Sequence, residues 1–125
     1  MLLRHTLLVN GIATGMTGLA ALVGSPWLPA ILGPTSPLLL AIIGVGLVVF
    51  AGVLLAQSRR ERIDPRVAWT IAMMDIAWVL GSVAVVEAGV LTAIGSVIVG
   101  AVALVVLVFA ILEVRGAAGL RTAGA

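Results

Sequence analysis

Four long apolar stretches, separated by short polar or proline-rich segments, constrain the fold of this chain more than any other feature. They cover residues 6–23, 38–56, 66–87 and 90–112, and a helix that crosses a bilayer needs roughly 17 to 25 such residues. Hydrophobic residues make up 62% of the 125 residues and charged residues 10%, with a mean hydropathy of +1.32. One small water-soluble core cannot bury that much apolar surface. The sequence therefore predicts an all-α membrane protein, with four transmembrane helices in one compact bundle formed by residues 1–125.

The segments between these stretches contain recognisable helix starts and stops. Residues 25–37 hold four of the five prolines and are predicted to be a loop, because helix interiors exclude proline. Ser36 before Pro37 and Asp64 before Pro65 each combine an N-cap side chain with a proline at the first helical position. Residues 57–65 form the predicted linker between the second and third helices, and residues 116–125 a flexible tail.

The distribution of basic residues predicts the orientation in the membrane. The chain has no lysine, and all of its arginines fall before the first helix, between the second and third, or after the fourth. By the positive-inside rule, both termini and the central linker then face the cytoplasm. Together with an Ala, Val, Leu and Gly-rich composition, this indicates the inner membrane of a bacterium. The arginines that set this topology are Arg4, Arg59, Arg60, Arg62, Arg66, Arg115 and Arg121.

Internal similarity raises the possibility of a duplication. Asn10 and Asp75 are each followed fourteen residues later by a glycine, Gly24 and Gly89. Such matches fit two parallel helical hairpins, and they also fit chance in a chain so rich in Val, Ala and Gly. Both interpretations remain open from the sequence alone.

Small residues predict where the helices pack, because lipid provides no hydrophobic drive between them and close approach must stabilise the bundle. Gly11 and Gly15 form a G-x-x-x-G pattern in the first helix. The full set of predicted packing positions is Gly11, Gly15, Gly18, Gly81, Ser96 and Gly100.

One acid lies deep in a predicted span. Asp75 is about nine residues, or about 14 Å, from the start of the third helix, and an aspartate at that depth costs roughly 2.5 to 3.5 kcal/mol to insert. Trp78 and Ser82 share its helix face, and Asn10 of the first helix, with Thr14 one turn away, is the expected partner across the bundle. We interpret these five residues as a polar intramembrane seam. Asp75 is either a structural acid that joins helices or a proton-binding site in a transport path.

Other classes of activity find little support. The chain has no cysteine, no catalytic motif and no set of metal ligands, so neither an enzyme nor a cofactor or metal site is expected. Glu87 and Glu113 lie near predicted helix ends, where they are expected to reach water. A net charge of only +2 from dispersed arginines argues against nucleic acid.

Two families resemble this chain. In architecture alone, the four short-looped spans and the embedded acid resemble the small multidrug resistance transporters. Those transporters carry their essential glutamate in the first helix, where this chain has Asn10. From Leu3 through Gly116 the chain is more similar to small bacterial four-helix integral membrane proteins with an R-x-D-P-R linker and a D-x-A-W-V-x-G-S segment. These are Arg62 to Arg66 and Asp75 to Ser82 here. The second resemblance implies the fold and brings no activity.

Two functions are therefore expected from the sequence. The first is an interaction or accessory protein that resides in the lipid bilayer and binds a protein partner or a second copy of the chain. The second is a proton-coupled small-molecule transporter with Asp75 as the titrating group. Replacing Asp75 with asparagine separates them, since assembly survives in the first case and proton coupling is lost in the second.

Overall fold

The computed structural model describes the backbone of residues 2–124 and the side chains of residues 2–120. This part of the chain contains five helices: α1 (Leu2–Gly24), α2 (Leu28–Leu32), α3 (Pro37–Arg59), α4 (Pro65–Glu87) and α5 (Ala93–Gly124). All but α2 are long and apolar enough to cross a membrane, and they pack together. The predicted fold class, an all-α bundle of four membrane-spanning helices, is confirmed.

The two predicted helix starts are present. The Ser36 hydroxyl accepts a hydrogen bond from the Leu39 amide at 3.4 Å, and the Asp64 carboxylate accepts one from the Arg66 amide at 2.9 Å. In each case the following proline opens the helix. These side chains bind amide groups that no preceding helical turn can bind.

The observed helices differ from the predicted ones mainly at their ends. α1 begins at Leu2 and α3 continues to Arg59, because charged residues end an apolar stretch without ending a helix. Residues 116–120, predicted to begin a flexible tail, continue α5. There Ala117 is fully buried and Gly116 lies against Leu3. The side chain of Arg121, a predicted topology residue, lies outside the described residues.

The proline-rich loop contains a short helix that was not predicted. In α2, Pro29 lies in the first turn, where proline needs no amide partner. The Thr92 amide donates to the Leu32 carbonyl at 2.8 Å, and the Thr92 hydroxyl accepts from the Gly95 amide at 2.9 Å. The first bond holds α2 against the residue that precedes α5, and the second caps α5, which begins at Ala93 and not at residue 90.

The four long helices form two hairpins, α1 with α3 and α4 with α5, and the hairpins meet mainly through α1 and α5. A two-fold axis along the membrane normal would exchange α1 with α4 and α3 with α5, and would make α3 pack on α4 as α1 packs on α5. Within residues 2–124, α3 and α4 have at most marginal contact. The hairpins are thus present without the symmetry of a duplication, and one side of the bundle is left open.

Glycines allow α1 and α3 to pack at backbone distance. A Cβ on Gly18 would lie 2.8 Å from the Gly44 carbonyl oxygen, and a Cβ on Gly44 would lie 2.7 Å from that of Gly18. The predicted positions Gly11 and Gly15 face the same helix, against Leu55 and Ala51 respectively. This packing seam fixes the first hairpin.

The remaining predicted packing residues behave differently. Added Cβ atoms on Gly81 and Gly100 would meet nothing within 4 Å, so those two predictions are wrong, and Ser96 is half-buried. Close approaches occur instead at Gly95, against the Leu32 backbone, and at Gly116, whose added Cβ would lie 2.7 Å from the Leu3 Cβ. A small residue can face lipid as readily as a neighbouring helix, and composition does not distinguish the two.

Arg4 closes the first hairpin at its end. Its guanidinium donates to the carbonyl oxygens of Ser58 at 2.7 Å, Arg60 at 2.6 Å and Glu61 at 3.2 Å. Ser58 is in the last turn of α3, and Arg60 and Glu61 follow it, so no helical amide is left to bind these carbonyls. We expect Arg4→Gln to lower the free energy of unfolding by about 1–2 kcal/mol, measured by thermal unfolding in detergent. Arg62→Gln, at an exposed position of the same linker, is the matched control, and equal losses in both variants would contradict this role.

Candidate functional site

Three polar side chains from three helices meet inside the bundle. The Asn10 amide nitrogen donates to the Asp75 carboxyl at 2.8 Å and to the Glu113 carboxyl at 3.1 Å. The exposed fractions of Asn10, Asp75 and Glu113 are 0%, 4% and 0%. The two carboxyl groups are therefore neighbours, since both accept from the same amide nitrogen. We call Asn10, Asp75 and Glu113 the carboxyl cluster.

The cluster lies near mid-depth of the bundle. Asn10 is eight residues from the start of α1 and Asp75 ten residues from the start of α4, which places them about 12 Å and about 15 Å along their helices. A hydrocarbon layer is roughly 30 Å thick. Glu113, eleven residues before the end of α5, reaches the same level because α5 runs opposite to α4. The cluster is thus far from both ends of the bundle.

The Asn10 amide is fixed on its other side. The Thr14 hydroxyl donates to the Asn10 carbonyl oxygen at 2.7 Å, from one turn further along α1. Both amide hydrogens of Asn10 are then available to the carboxyl groups, since an amide nitrogen carries two donors. One oxygen of Glu113, Oε1, is buried and has no hydrogen-bond partner among the described residues. An unpaired buried acceptor is costly, and this one marks a position where a proton can be held.

A cavity of about 570 Å³ lies next to the cluster, between α1, α3, α4 and α5. Its polar contributors are Asp75, Thr14 and Thr17, and the rest of its wall is apolar or aromatic. Three aromatic side chains take part, Phe50, Trp78 and Phe109. Small-molecule sites in proteins commonly have this size and this combination of an apolar wall with a few polar groups.

The cavity adjoins a groove on the side where α3 and α4 fail to pack. The groove has a volume of about 380 Å³ and shares Gly46, Phe50 and Met74 with the cavity. Arg66, at the start of α4, borders its far end. The groove thus links the cavity wall with the outer surface between the two hairpins.

The structure brings together most of the predicted seam, with one exception and one addition. Asn10, Thr14 and Asp75 are hydrogen bonded in series, and Trp78 lines the cavity beside them. Ser82 instead donates to the Trp78 carbonyl of its own helix at 2.8 Å and does not join the cluster. Glu113 was expected to reach water and is fully buried, so that expectation is wrong.

The reason for the error at Glu113 is the length of α5. The residues after Glu113 continue the helix and pack against α1, so this acid lies well inside the bundle and not at its end. A usable signal was present, because Glu113, Gly116, Ala117 and Leu120 are spaced three, one and three residues apart, as on one helix face.

Comparisons of this chain with protein-family models, with curated proteins and with solved structures find no match. Among the described residues, no group of three or more His, Cys, Asp and Glu side chains is arranged to hold a metal ion.

Proposed function

We propose that this chain is a proton-coupled membrane transporter of small molecules, with Asp75 as the group that exchanges a proton for the transported molecule. The observation that carries the proposal is the position of Asp75, which is 4% exposed and forms the acidic part of a cavity wall inside a bundle of membrane-spanning helices. An acid at this depth is expensive to insert, and such residues commonly mark ion or substrate paths.

The wall of the cavity indicates the class of molecule that it binds. A carboxylate attracts a positive charge, and the faces of Phe50, Trp78 and Phe109 stabilise a cation through their ring quadrupoles. The remaining wall is apolar and favours hydrocarbon groups. Small organic cations with aromatic or alkyl substituents combine these properties and form the proposed substrate class.

Charge balance explains the coupling. When the cavity holds no cation, a proton on Asp75 keeps the buried site neutral. When an organic cation enters, loss of that proton leaves a carboxylate beside the cation, and the total charge of the site stays the same. Since an unpaired charge in an apolar interior is strongly disfavoured, proton and cation compete for one site, which is the requirement for exchange.

The proposed setting is the inner membrane of a bacterium, with both termini in the cytoplasm. It is supported by the clustering of the arginines at one end of the bundle, where Arg4 binds carbonyls of the α3–α4 linker and Arg115 lies one residue before Gly116, which packs on α1. Basic residues accumulate on the cytoplasmic side of membrane proteins.

The proposal is tested by uptake of radiolabelled benzyltrimethylammonium into proteoliposomes with an imposed pH gradient. We expect gradient-driven uptake by the wild type and its loss, to the level of empty liposomes, in Asp75→Asn. Ser82→Ala is the matched control, because Ser82 lies on the same helix and its hydroxyl donates to the carbonyl of Trp78 in its own backbone. We expect this control to transport like the wild type.

The opposite result supports the structural interpretation of the cluster. If Asp75→Asn assembles normally and transports as the wild type does, or if the wild type does not transport, the cluster serves to hold helices together. The chain would then be better described as an accessory protein, and a stoichiometric partner in mild-detergent pull-downs would be the finding to look for.

A further inference from the structure

The carboxyl cluster contains a second acid, Glu113, in addition to the proton-exchanging Asp75. Glu113 is on a different helix from Asp75, is fully buried, and accepts from the same Asn10 amide. Its other oxygen has no partner among the described residues. A buried acid with a free oxygen beside another carboxyl group is poorly explained as a helix joint alone, because a joint would use both oxygens.

We propose that Asp75 and Glu113 form one two-carboxyl proton-binding unit, held by the Asn10 amide, in which a proton is shared between the two acids. This inference deepens the proposed function and rests on it, since Asp75 is the exchanging group in both. It adds that Asp75, which faces the cavity, releases one proton from the unit through Glu113, which lies behind it, and that the proton left on the unit is shared by the two acids.

The geometry supports sharing. The two carboxyl groups accept from one amide nitrogen, at 2.8 Å and 3.1 Å, and are therefore neighbours. A hydrogen bond between neighbouring carboxyl groups needs a proton on one of them. Two like charges this close in a low-dielectric site cannot both be present without a large penalty. One proton shared between the groups removes that penalty, and a second proton, for which the free Glu113 oxygen is the position, makes the unit neutral when the cavity holds no cation.

The surroundings leave this pair as the titrating unit at mid-depth. α1 contributes Asn10 and Thr14, neither of which titrates, and α3 contributes apolar cavity residues. The acids that α4 and α5 contribute to the cluster are Asp75 and Glu113, the two members of the unit. Arg4, His5 and Arg66 lie in the first turns of α1 and α4. Arg115, two residues after Glu113 on α5, is exposed. Coupled acids of this kind lose their protons in steps that belong to the pair and not to either residue.

The test is a pH titration of the reconstituted protein, without any ligand, by infrared difference spectroscopy of the protonated carboxyl stretch. We expect two steps from the Asp75–Glu113 unit in the wild type. Asp75→Asn and Glu113→Gln should each show one step, displaced from both wild-type steps by roughly tenfold or more in proton affinity, the threshold for strong coupling. Glu87→Gln, at the exposed end of α4, should leave both steps in place.

Isotope labelling keeps the test decisive if a variant fails to fold. The chain has two aspartates, Asp75 and the exposed Asp64, so ¹³C-aspartate shifts only their bands and separates Asp75 from Glu113 in the wild type. If the proton is shared, the labelled band of Asp75 and the unlabelled band of Glu113 both change in both steps. The inference is overturned if the labelled band changes in one step only, or if each variant keeps one wild-type step at its original pH. Since no ligand is present, these outcomes are independent of whether the chain transports organic cations.

Discussion

Replacing Gly44 with leucine is expected to separate α1 from α3 and to remove most of the folded protein recovered in detergent. The Gly44 Cβ would lie 2.7 Å from the Gly18 carbonyl oxygen and 2.8 Å from the Leu22 amide nitrogen. Both are backbone atoms, so no side-chain rotation relieves the clash. Overpacking against movable side chains costs about 1–3 kcal/mol, and we expect a loss of about 3 kcal/mol or more here, measured by thermal unfolding.

The matched control for this substitution is Gly52→Leu on the same helix. A Cβ on Gly52 meets nothing within 4 Å, so leucine there faces outward and should leave the unfolding temperature within experimental error. Equal stability of the Gly44 and Gly52 variants would show that the close α1–α3 contact is absent from the folded protein.

Replacing Asn10 with leucine is expected to be nearly as severe. Leucine has similar size and cannot donate, so the Asp75 and Glu113 carboxyl groups both lose the donor at 2.8 Å and 3.1 Å. Each buried polar group left without its partner costs about 1–3 kcal/mol. We expect a combined loss of about 3 kcal/mol, read from thermal unfolding in detergent.

Thr17→Val is the control for Asn10→Leu, because Thr17 lies on the same helix and its hydroxyl donates only to the Ala13 carbonyl. It should change the stability by about 0.5 kcal/mol or less. Adding Glu113→Gln to Asn10→Leu should recover part of the loss, since the glutamine amide can donate to Asp75. Additive losses in the double variant would contradict a direct Asn10–carboxyl interaction.

The fold could largely be predicted from the sequence because its strongest signals are local. The four apolar stretches, the caps at Ser36 and Asp64, and the prolines that follow them each act within a few residues. The ends of α1 and α5 were harder to predict. Whether a helix continues beyond its apolar stretch depends on what it packs against, as at Gly116 against Leu3.

The site was only partly predictable. Asp75 stood out because it interrupts an apolar span, and Asn10 was its expected partner because both lie at similar depth. Glu113 did not stand out, since its depth became clear only once α5 was known to continue past it. The cavity was not predictable at all, because it results from α3 and α4 failing to pack, and helix order is a property of the whole bundle.

Proton release on binding tests the central claim, exchange at Asp75, most directly. Calorimetric titration of the purified protein with benzyltrimethylammonium, in two buffers of different ionisation enthalpy, gives the number of protons released for each molecule bound. We predict measurable proton release by the wild type, weaker binding without release in Asp75→Asn, and no release with the neutral isostere neopentylbenzene. Binding of the cation without proton release, or release unchanged in Asp75→Asn, would contradict the account.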